Sequence, residues 1–399
     1  QDLITIDIGG TSSDIALISG GQPLLRPEGL LGAYTIRVPM VDVNAIGAGG
    51  GSIAWIDGGG SLRVGPESAG ADPGPACYGK GGEQATVTDA SIALGYIDPG
   101  YFAGGAFDLN PDLARQAIEE RVAQPLGLTL EAAALGIHRV VNAQMAEGIR
   151  LVSISRGIDP RGFALVALGG GGPVHATALA DELGIGRVVV PRYPGVLSAD
   201  GLLSAAVEHE AAAAFPERLA DTNMADVRRT FARLDEECAA LMALERLQGG
   251  TVARNYFADV CYVGQSHYIE TPFRLDDDDP IDRLYDDFCA AHDQLYGHHT
   301  AAPAKIVNLR SVHSVAAAEA APTDAGPEAG DARRARRSIL VRQGRVEADI
   351  YIRDRLAPGA AFHGPAIVEQ ADTTTLVEPG WRCDVAADGA LILTRERQS

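Results

Sequence analysis

Residues 3–21 read LITIDIGGTSSDIALISGG. Leu3–Ile8 and Ile15–Ile18 are short β-like runs. Asp7-Ile8-Gly9-Gly10-Thr11-Ser12-Ser13-Asp14 lies across them, and Gly20-Gly21 turns the chain afterwards. The order is strand, glycine loop, strand. A P-loop or a dinucleotide fingerprint needs a helix after its glycines, so neither fits, and GxxxxGK[ST] is absent. A glycine loop inside a hairpin can still hold phosphate. Gly9 and Gly10 let the backbone approach closely, and successive N–H groups form an anion nest. Thr11, Ser12 and Ser13 add hydroxyl donors. Asp7 and Asp14 only accept when ionised, so they suit Mg²⁺ or its waters rather than phosphate itself. The alternative reading is an ordinary hairpin turn.

A second glycine loop leaves another strand end. Phe163–Leu168 reads as a short buried strand running into Gly169-Gly170-Gly171-Gly172-Pro173-Val174-His175, then a helix to about Leu183, then a strand at Arg187–Val190. In this β–loop–α–β unit the glycines let a base or ribose lie against the backbone, and the helix start favours negative charge. Taken alone the loop could be a tight helix–strand contact. A third glycine run, Gly47–Gly51, leads into extended Ile53–Ile56 and reads as a flexible or closely packed turn.

Gly65–Asp89, GPESAGADPGPACYGKGGEQATVTD, is long, loop-like and rich in Gly and Pro. Ordered loops of this length tend to be functional; mobility is the plainer reading. Cys77, Asp89 and His175 would form an N/O/S set for Zn²⁺ if they converge. A structural Cys77 and a nucleophilic Cys77 with His175 as base are the other readings. His298-His299 reads as a solvated turn, and Glu147/Arg150 as a surface pair on one helix.

The 399 residues allow two or three domains. Lys+Arg number 33 against Asp+Glu 53, a formal charge of −20, which argues against non-specific binding to nucleic acid or to an anionic membrane. No apolar stretch is long enough for a membrane span. Five widely spaced cysteines without CxxC fit reduced thiols in a cytoplasmic protein. The start at Gln1, without Met or a signal peptide, leads to the expectation that an upstream part is missing.

Residues 111–124 and 130–153 read as helices, the first with Asn110 as N-cap and Pro111 at the first helical position. Residues 224–247 and 280–296 are further helices, separated by paired strands at Asn255–Val263 and Ser266–Pro272. The acids Asp276–Asp279 could bind a cation but read rather as capping the second of these helices near its positive dipole end. Residues 316–337 are expected to be a linker or mobile loop, and Ser338–Thr394 mostly β.

Several stretches resemble the hydantoinase A/oxoprolinase family. They are DIGGTSSDIAL, GAGGGSIAW, GPESAGADPGPACYG, TVTDA, RGIDPRGFALVALGGGGPVHA and VPRYPGVLSADGLLSA, in family order through residues 2–206. Weaker matches are YVGQSHYIE, FHGPAIVEQADTTTLVEPGW and GALIL. Two positions depart from the pattern: Gly171, where Ala is usual, and Asp200, where a small or apolar residue is expected.

The resemblance implies an α/β fold with a ribonuclease-H-like lobe of the actin, sugar-kinase and heat-shock-chaperone ATPase type at 1–206. An α+β region would follow at 207–315, then the linker at 316–337 and the β-rich end at 338–399. A further N-terminal lobe is usual in the family. The implied activity is ATP-dependent hydrolysis of a cyclic amide, hydantoin or 5-oxoproline, through phosphorylation of the amide oxygen. Rival readings are a subunit of an ATP-dependent ketone carboxylase, or a non-catalytic nucleotide-binding module needing a partner chain. A hydantoinase B-type partner subunit and an oligomer are expected. The residues implied are Asp7 for Mg²⁺, Gly9, Gly10, Thr11 and Ser12 for phosphate, Gly170, Gly171 and Gly172 for adenosine, and Asp89 and His175 near substrate or metal.

Overall fold

A computed structural model describes residues 2–26, 29–31, 34–36, 40–154, 157–245, 250–316 and 330–396. The chain divides into two compact units, Gln1–Ser198 with Thr323–Ser399, and Ala199–Pro322.

The first unit is organised by one sheet. In chain order its main strands are β1 (Leu3–Ile8), β2 (Ser13–Ser19), β3 (Val43–Ile46), β4 (Ala164–Leu168), β5 (Arg187–Val190), β6 (Ala361–His363), β7 (Trp381–Val385) and β8 (Leu391–Arg395). The spatial order is β6-β7-β8-β5-β4-β1-β2, with β3 and the short Gln22–Pro23 both on the far side of β2. β1 runs antiparallel to β2 and parallel to β4, β4 is parallel to β5, and β2 is antiparallel to β3. A meander feeding two parallel strands through helical crossovers is the ribonuclease-H-like arrangement the family resemblance implied, although the unit that contains it ends its first segment at Ser198 rather than at 206 and takes in the C-terminal segment. Alternation on β1 buries Ile4, Ile6 and Ile8 completely, while β4 is buried along nearly its whole length. The strand nearest the middle of a sheet covered by helices has no polar face to offer.

Three helices matter for the site: α1 (Val87–Ala93), α2 (Leu130–Ser153) and α3 (Gly172–Leu183). α2 has the bounds its sequence pattern predicted, begins at the Thr129 cap and buries Ile137, Val141, Met145 and Ile149 against the sheet. The predicted helix at 111–124 does begin under the Asn110 cap, which accepts from the amides of Asp112 and Leu113. It then widens into a π-helical turn at Glu119–Ala123 before ending past Gln124–Leu126.

The C-terminal segment is β-rich as expected but does not stand apart. β7 and β8 extend the first sheet through β8 and β5. Strands Arg333–Val341, Gly344–Ile352, Ala366–Glu369 and Thr374–Val377 make a second, four-stranded sheet in the same unit. The expected linker at 316–337 is therefore corrected at its end, because Arg333–Arg337 pair with the strand at 344–352. Residues 317–329 of that expectation lie outside the described residues.

The second unit is a four-stranded antiparallel sheet of Val207–Ala214, Ala304–Val315, Ala253–Tyr262 and Ile269–Pro272, in that spatial order. Helices Met224–Met242 and Pro280–Tyr296 pack on it through Phe231, Leu234, Leu284 and Phe288. Asp279 stands at the N-cap of the second helix, but its side chain makes no capping hydrogen bond. No helix among the described residues is long and apolar enough to cross a membrane.

Candidate functional site

β1 and β4 are parallel neighbours, with Asp7 beside Leu168, so the glycine loops that follow them emerge at the same sheet edge. The Gly171 amide donates to Ile8 O at 2.9 Å, and the Gly169 amide to Pro194 O at 2.9 Å. Gly169 has φ +74°, and a Cβ there would run into Asp7 Oδ1 and Ile8 O. Only glycine suits such a position. The two bends thus lie side by side and border one cavity of about 350 Å³.

The first loop is braced from below. Gly50 and Gly51 amides donate to Gly9 O at 3.0 Å and Gly10 O at 2.6 Å. A Cβ on Gly49 would sit 2.8 Å from Gly9 O and 2.9 Å from both Gly10 C and Thr11 N. The glycine run at 47–51 is therefore a closely packed support, one of its two predicted readings. Gly9 closes the bend by donating to Ser12 O at 3.0 Å. The amides of Gly10, Thr11 and Ser12 have no acceptor among the described residues, and Gly10 has nothing within 4 Å of where a Cβ would stand. Three consecutive N–H groups without an acceptor among the described residues, with open space at Gly10, supply the donors an anion nest needs.

Asp7 sits at the end of β1 and accepts from Ser198 Oγ at 3.1 Å through Oδ2. Asp14 faces it across the hairpin. Burial, and then the charge of Asp7, raise the Asp14 carboxyl above the ordinary carboxylate range. Two acceptor-only side chains so placed fit a Mg²⁺ ion or its waters.

The zinc expectation does not survive. Among the described residues no three His, Cys, Asp or Glu side chains gather to hold a metal ion. Asp89 is fully buried and accepts from the Cys77 amide (2.8 Å), the Ala76 amide (3.3 Å), the Thr86 amide (2.9 Å) and Thr86 Oγ1 (2.7 Å). With the Thr86 hydroxyl accepting from the Asp89 amide, this is a reciprocal cap at the start of α1. Four donors occupy the carboxylate, leaving nothing for a metal or a substrate. Asp89 instead pins the 74–79 bend to α1. Burial first, then Asp89, push the Cys77 thiol far above its ordinary range, so a thiolate nucleophile there is disfavoured.

His175, in the first turn of α3, does border the cavity and is 2% exposed. Its Nδ1 lies 2.6 Å from Asn142 Oδ1. An amide oxygen only accepts, so Nδ1 carries the proton and Nε2 keeps the lone pair. The ring stacks on His138 at 4.4 Å between centroids and 16° between planes. Burial pushes His175 down to about 4, and burial together with His175 lowers His138 as well. His138 Nε2 lies 3.0 Å from Ser91 Oγ, whose hydroxyl donates to Val87 O at 3.0 Å; the histidine is thus the donor of that pair. His138, Asn142 and Ser91 were not singled out from sequence. Their signal was polar residues on the apolar faces of two helices, with 138 and 142 one turn apart.

Another contribution also escaped the sequence reading. Residues 370–374 enter the cavity wall from the C-terminal segment: Thr373 Oγ1 donates to Gly170 O at 2.8 Å, and Asp372 Oδ2 accepts from the Gly195 amide at 2.8 Å. Elsewhere, Arg150 does pair with Glu147 at 3.4 Å, and His298 is exposed, as read.

A ribonuclease-H-like sheet whose parallel strands end in paired glycine loops over one cavity defines an α/β lobe of the ribonuclease-H-like class. Within that class, the chain belongs to the hydantoinase/oxoprolinase family, whose model matches residues 1–211, with the family's C-terminal domain matching 215–394. The caprolactamase subunit alpha of Pseudomonas jessenii is 36% identical over 99% of this chain and 58% of its own length. The crystal structure of that ATP-dependent caprolactamase superposes with a TM-score of 0.82 over all of this chain and 59% of the other. 5-Oxoprolinase 1 of Arabidopsis thaliana is 29% identical over 95% of this chain and 31% of its own. A nucleotide-free acetone carboxylase structure matches with a TM-score of 0.83, 25% identity, and coverage of 99% of this chain and 58% of the other. The chain thus spans less than two thirds of the relatives it matches.

Proposed function

We propose that this chain forms part of an ATP-dependent cyclic amidase and that the glycine-loop cavity is where phosphate meets the amide. The observation that carries the reading is the run of amides at Gly10, Thr11 and Ser12 without an acceptor among the described residues, on a loop whose Gly9 and Gly10 border one cavity together with Gly170 and Gly171. ATP, when bound, supplies a phosphoryl group to the amide oxygen, which makes the carbonyl carbon a better electrophile for water.

The chain's own residues do the rest. Free N–H groups on the first loop neutralise phosphate charge without reorganising. Gly170 and Gly171 border the cavity and would form its adenosine side. Asp7, with Asp14 opposite, would hold Mg²⁺ or its waters. His175 is neutral at physiological pH and, with its lowered pKa, a weak base. Its Nε2 therefore orients a water or an amide N–H rather than abstracting a proton outright. Tyr78, Tyr101 and Phe102 line the cavity and give an apolar wall for a small ring.

Single-turnover ATP hydrolysis, with and without 5-oxoproline, hydantoin or a simple lactam, tests the reading. The expected result is cyclic-amide-dependent turnover that Asp7→Ala abolishes; turnover indifferent to both the amide and Asp7 would defeat it. The acetone carboxylase likeness, with a TM-score of 0.83 beside 0.82, favours a second reading: ATP turnover driven by a ketone with bicarbonate. The caprolactamase match is to a subunit, which favours work alongside a partner chain, a hydantoinase B-type subunit in this reading.

A further inference from the structure

Behind the glycine-loop cavity lies a larger one of about 890 Å³, walled by α2, α3 and the C-terminal segment. Val174 borders both. Asn142 and His138 face the larger cavity while one bonds and the other stacks on His175 of the smaller. Leu62, Leu135 and Leu376 give the larger cavity an apolar lining.

Its charges are of both signs, and half of them are already matched. Arg395 pairs with Asp181 at 3.1 Å and lies over the Trp381 ring. Glu182 is held by Arg150 at 3.3 Å. Three are left. Arg139 and Arg342 make no hydrogen bond or ion pair among the described residues, although the field of Arg342 reaches Asp181 and Glu378. Glu378 is partly buried and accepts one hydrogen bond, from Thr177 Oγ1 at 3.1 Å, with no cation paired to it. Burial raises its carboxyl above the ordinary range.

We propose that this second cavity binds a small zwitterion, an amino acid. Its carboxylate would lie on Arg139 and Arg342, its ammonium on Glu378, and its aliphatic stretch along the leucines. A simple anion would satisfy the guanidinium groups, which take carboxylates in a two-pronged fashion, but would leave Glu378 unmatched. A simple amine would leave both arginines unmatched. A ligand carrying both charges completes all three groups, and its ammonium would favour the ionised form of Glu378. An amino acid is also what opening a lactam yields; that one clause rests on the function proposed above, whereas the binding site does not.

Calorimetry on the whole chain without nucleotide tests the site with γ-aminobutyrate, ε-aminocaproate and glutamate, against caproate and hexylamine, which each lack one charge. At least one zwitterion binds, and the singly charged compounds bind about tenfold more weakly or less, the equivalent of one charge-assisted hydrogen bond. Arg139→Ala and Arg342→Ala, both exposed and so harmless to folding, each weaken the zwitterion by a similar factor with an unchanged melting temperature. Glu378→Gln brings the zwitterion down to the level of caproate. Should Glu378→Gln fail to fold, the arginine variants decide. No binding by any of the three zwitterions, equal binding of caproate or hexylamine, or undiminished binding by both arginine variants overturns the proposal. The assay contains no ATP and reads no turnover, so failure of the lactam chemistry leaves its result standing, and the reverse.

Discussion

Replacing Gly10 with alanine puts one methyl group into the space where the proposed phosphate would lie, and nowhere else. A Cβ at Gly10 meets nothing within 4 Å, and its φ lies outside the left-handed region. The folded chain therefore accommodates the change. Less freedom in the unfolded chain even favours the variant by about 0.4–1 kcal/mol. A ligand drawn against the amides of Gly10 and Thr11, however, meets the methyl. Overfilling a fitted site costs about 1–3 kcal/mol, which is roughly a tenfold to hundredfold loss of nucleotide affinity.

Gly49→Ala is the matched control. Its Cβ would stand 2.8–2.9 Å from three backbone atoms of the first loop, which cannot swing aside as a side chain can. That variant loses about 1–3 kcal/mol of stability, a few degrees in the melting temperature of the unit that contains it. A fluorescent ATP analogue titrated into both variants, with melting curves alongside, separates the two effects. Gly10→Ala is expected to melt like the parent and bind poorly, and Gly49→Ala to melt early. Normal nucleotide binding by a well-folded Gly10→Ala would show that the open side of the loop faces no phosphate.

The remaining expectations use other parts of the site. Asp89→Asn turns an amide N–H₂ toward donors that the carboxylate now satisfies; about 3 kcal/mol of stability is lost, visible as a lower denaturation midpoint. His175 is neutral and buried, so its pKa is about 4 folded and roughly 6.5 unfolded. The unfolded chain binds the proton first, so its stabilisation is complete above pH 6.5 and is lost as pH falls through about 4, some 3 kcal/mol in all. Denaturation midpoints between pH 7 and pH 4 check this, and His175→Gln should flatten that part of the slope. Cys77, buried with a raised pKa, should resist alkylation in the native chain and react only after unfolding, as peptide mass mapping would read.

What sequence could and could not disclose follows from the range of the interactions. The strand–glycine loop–strand at 3–21 was legible because turn glycines and flanking apolar runs are local signals, and β1 and β2 form as those signals direct. α2 was legible for the same reason, with Thr129 capping one end. Asp89 was misjudged because its type suits a metal or an acid–base role equally well. Its actual duty depends on the amides of Ala76 and Cys77, more than ten residues upstream, folding back onto it. The histidine stack was invisible on similar grounds: His138 and His175 meet only because α2 and α3 pack together, and neither loop motif contains His138. The C-terminal strands are the longest-range case. Ser338–Thr394 read as a separate β region, but β8 completes the edge left open by β5, and Thr373 ties the second glycine loop through Gly170 O. Local propensity cannot see an edge that another part of the chain must fill. The same pairing bears on function: a loop shaped by residues 370–374 is set by the far end of the chain. Removing that end should therefore disturb the cavity before it disturbs the meander of β1, β2 and β3.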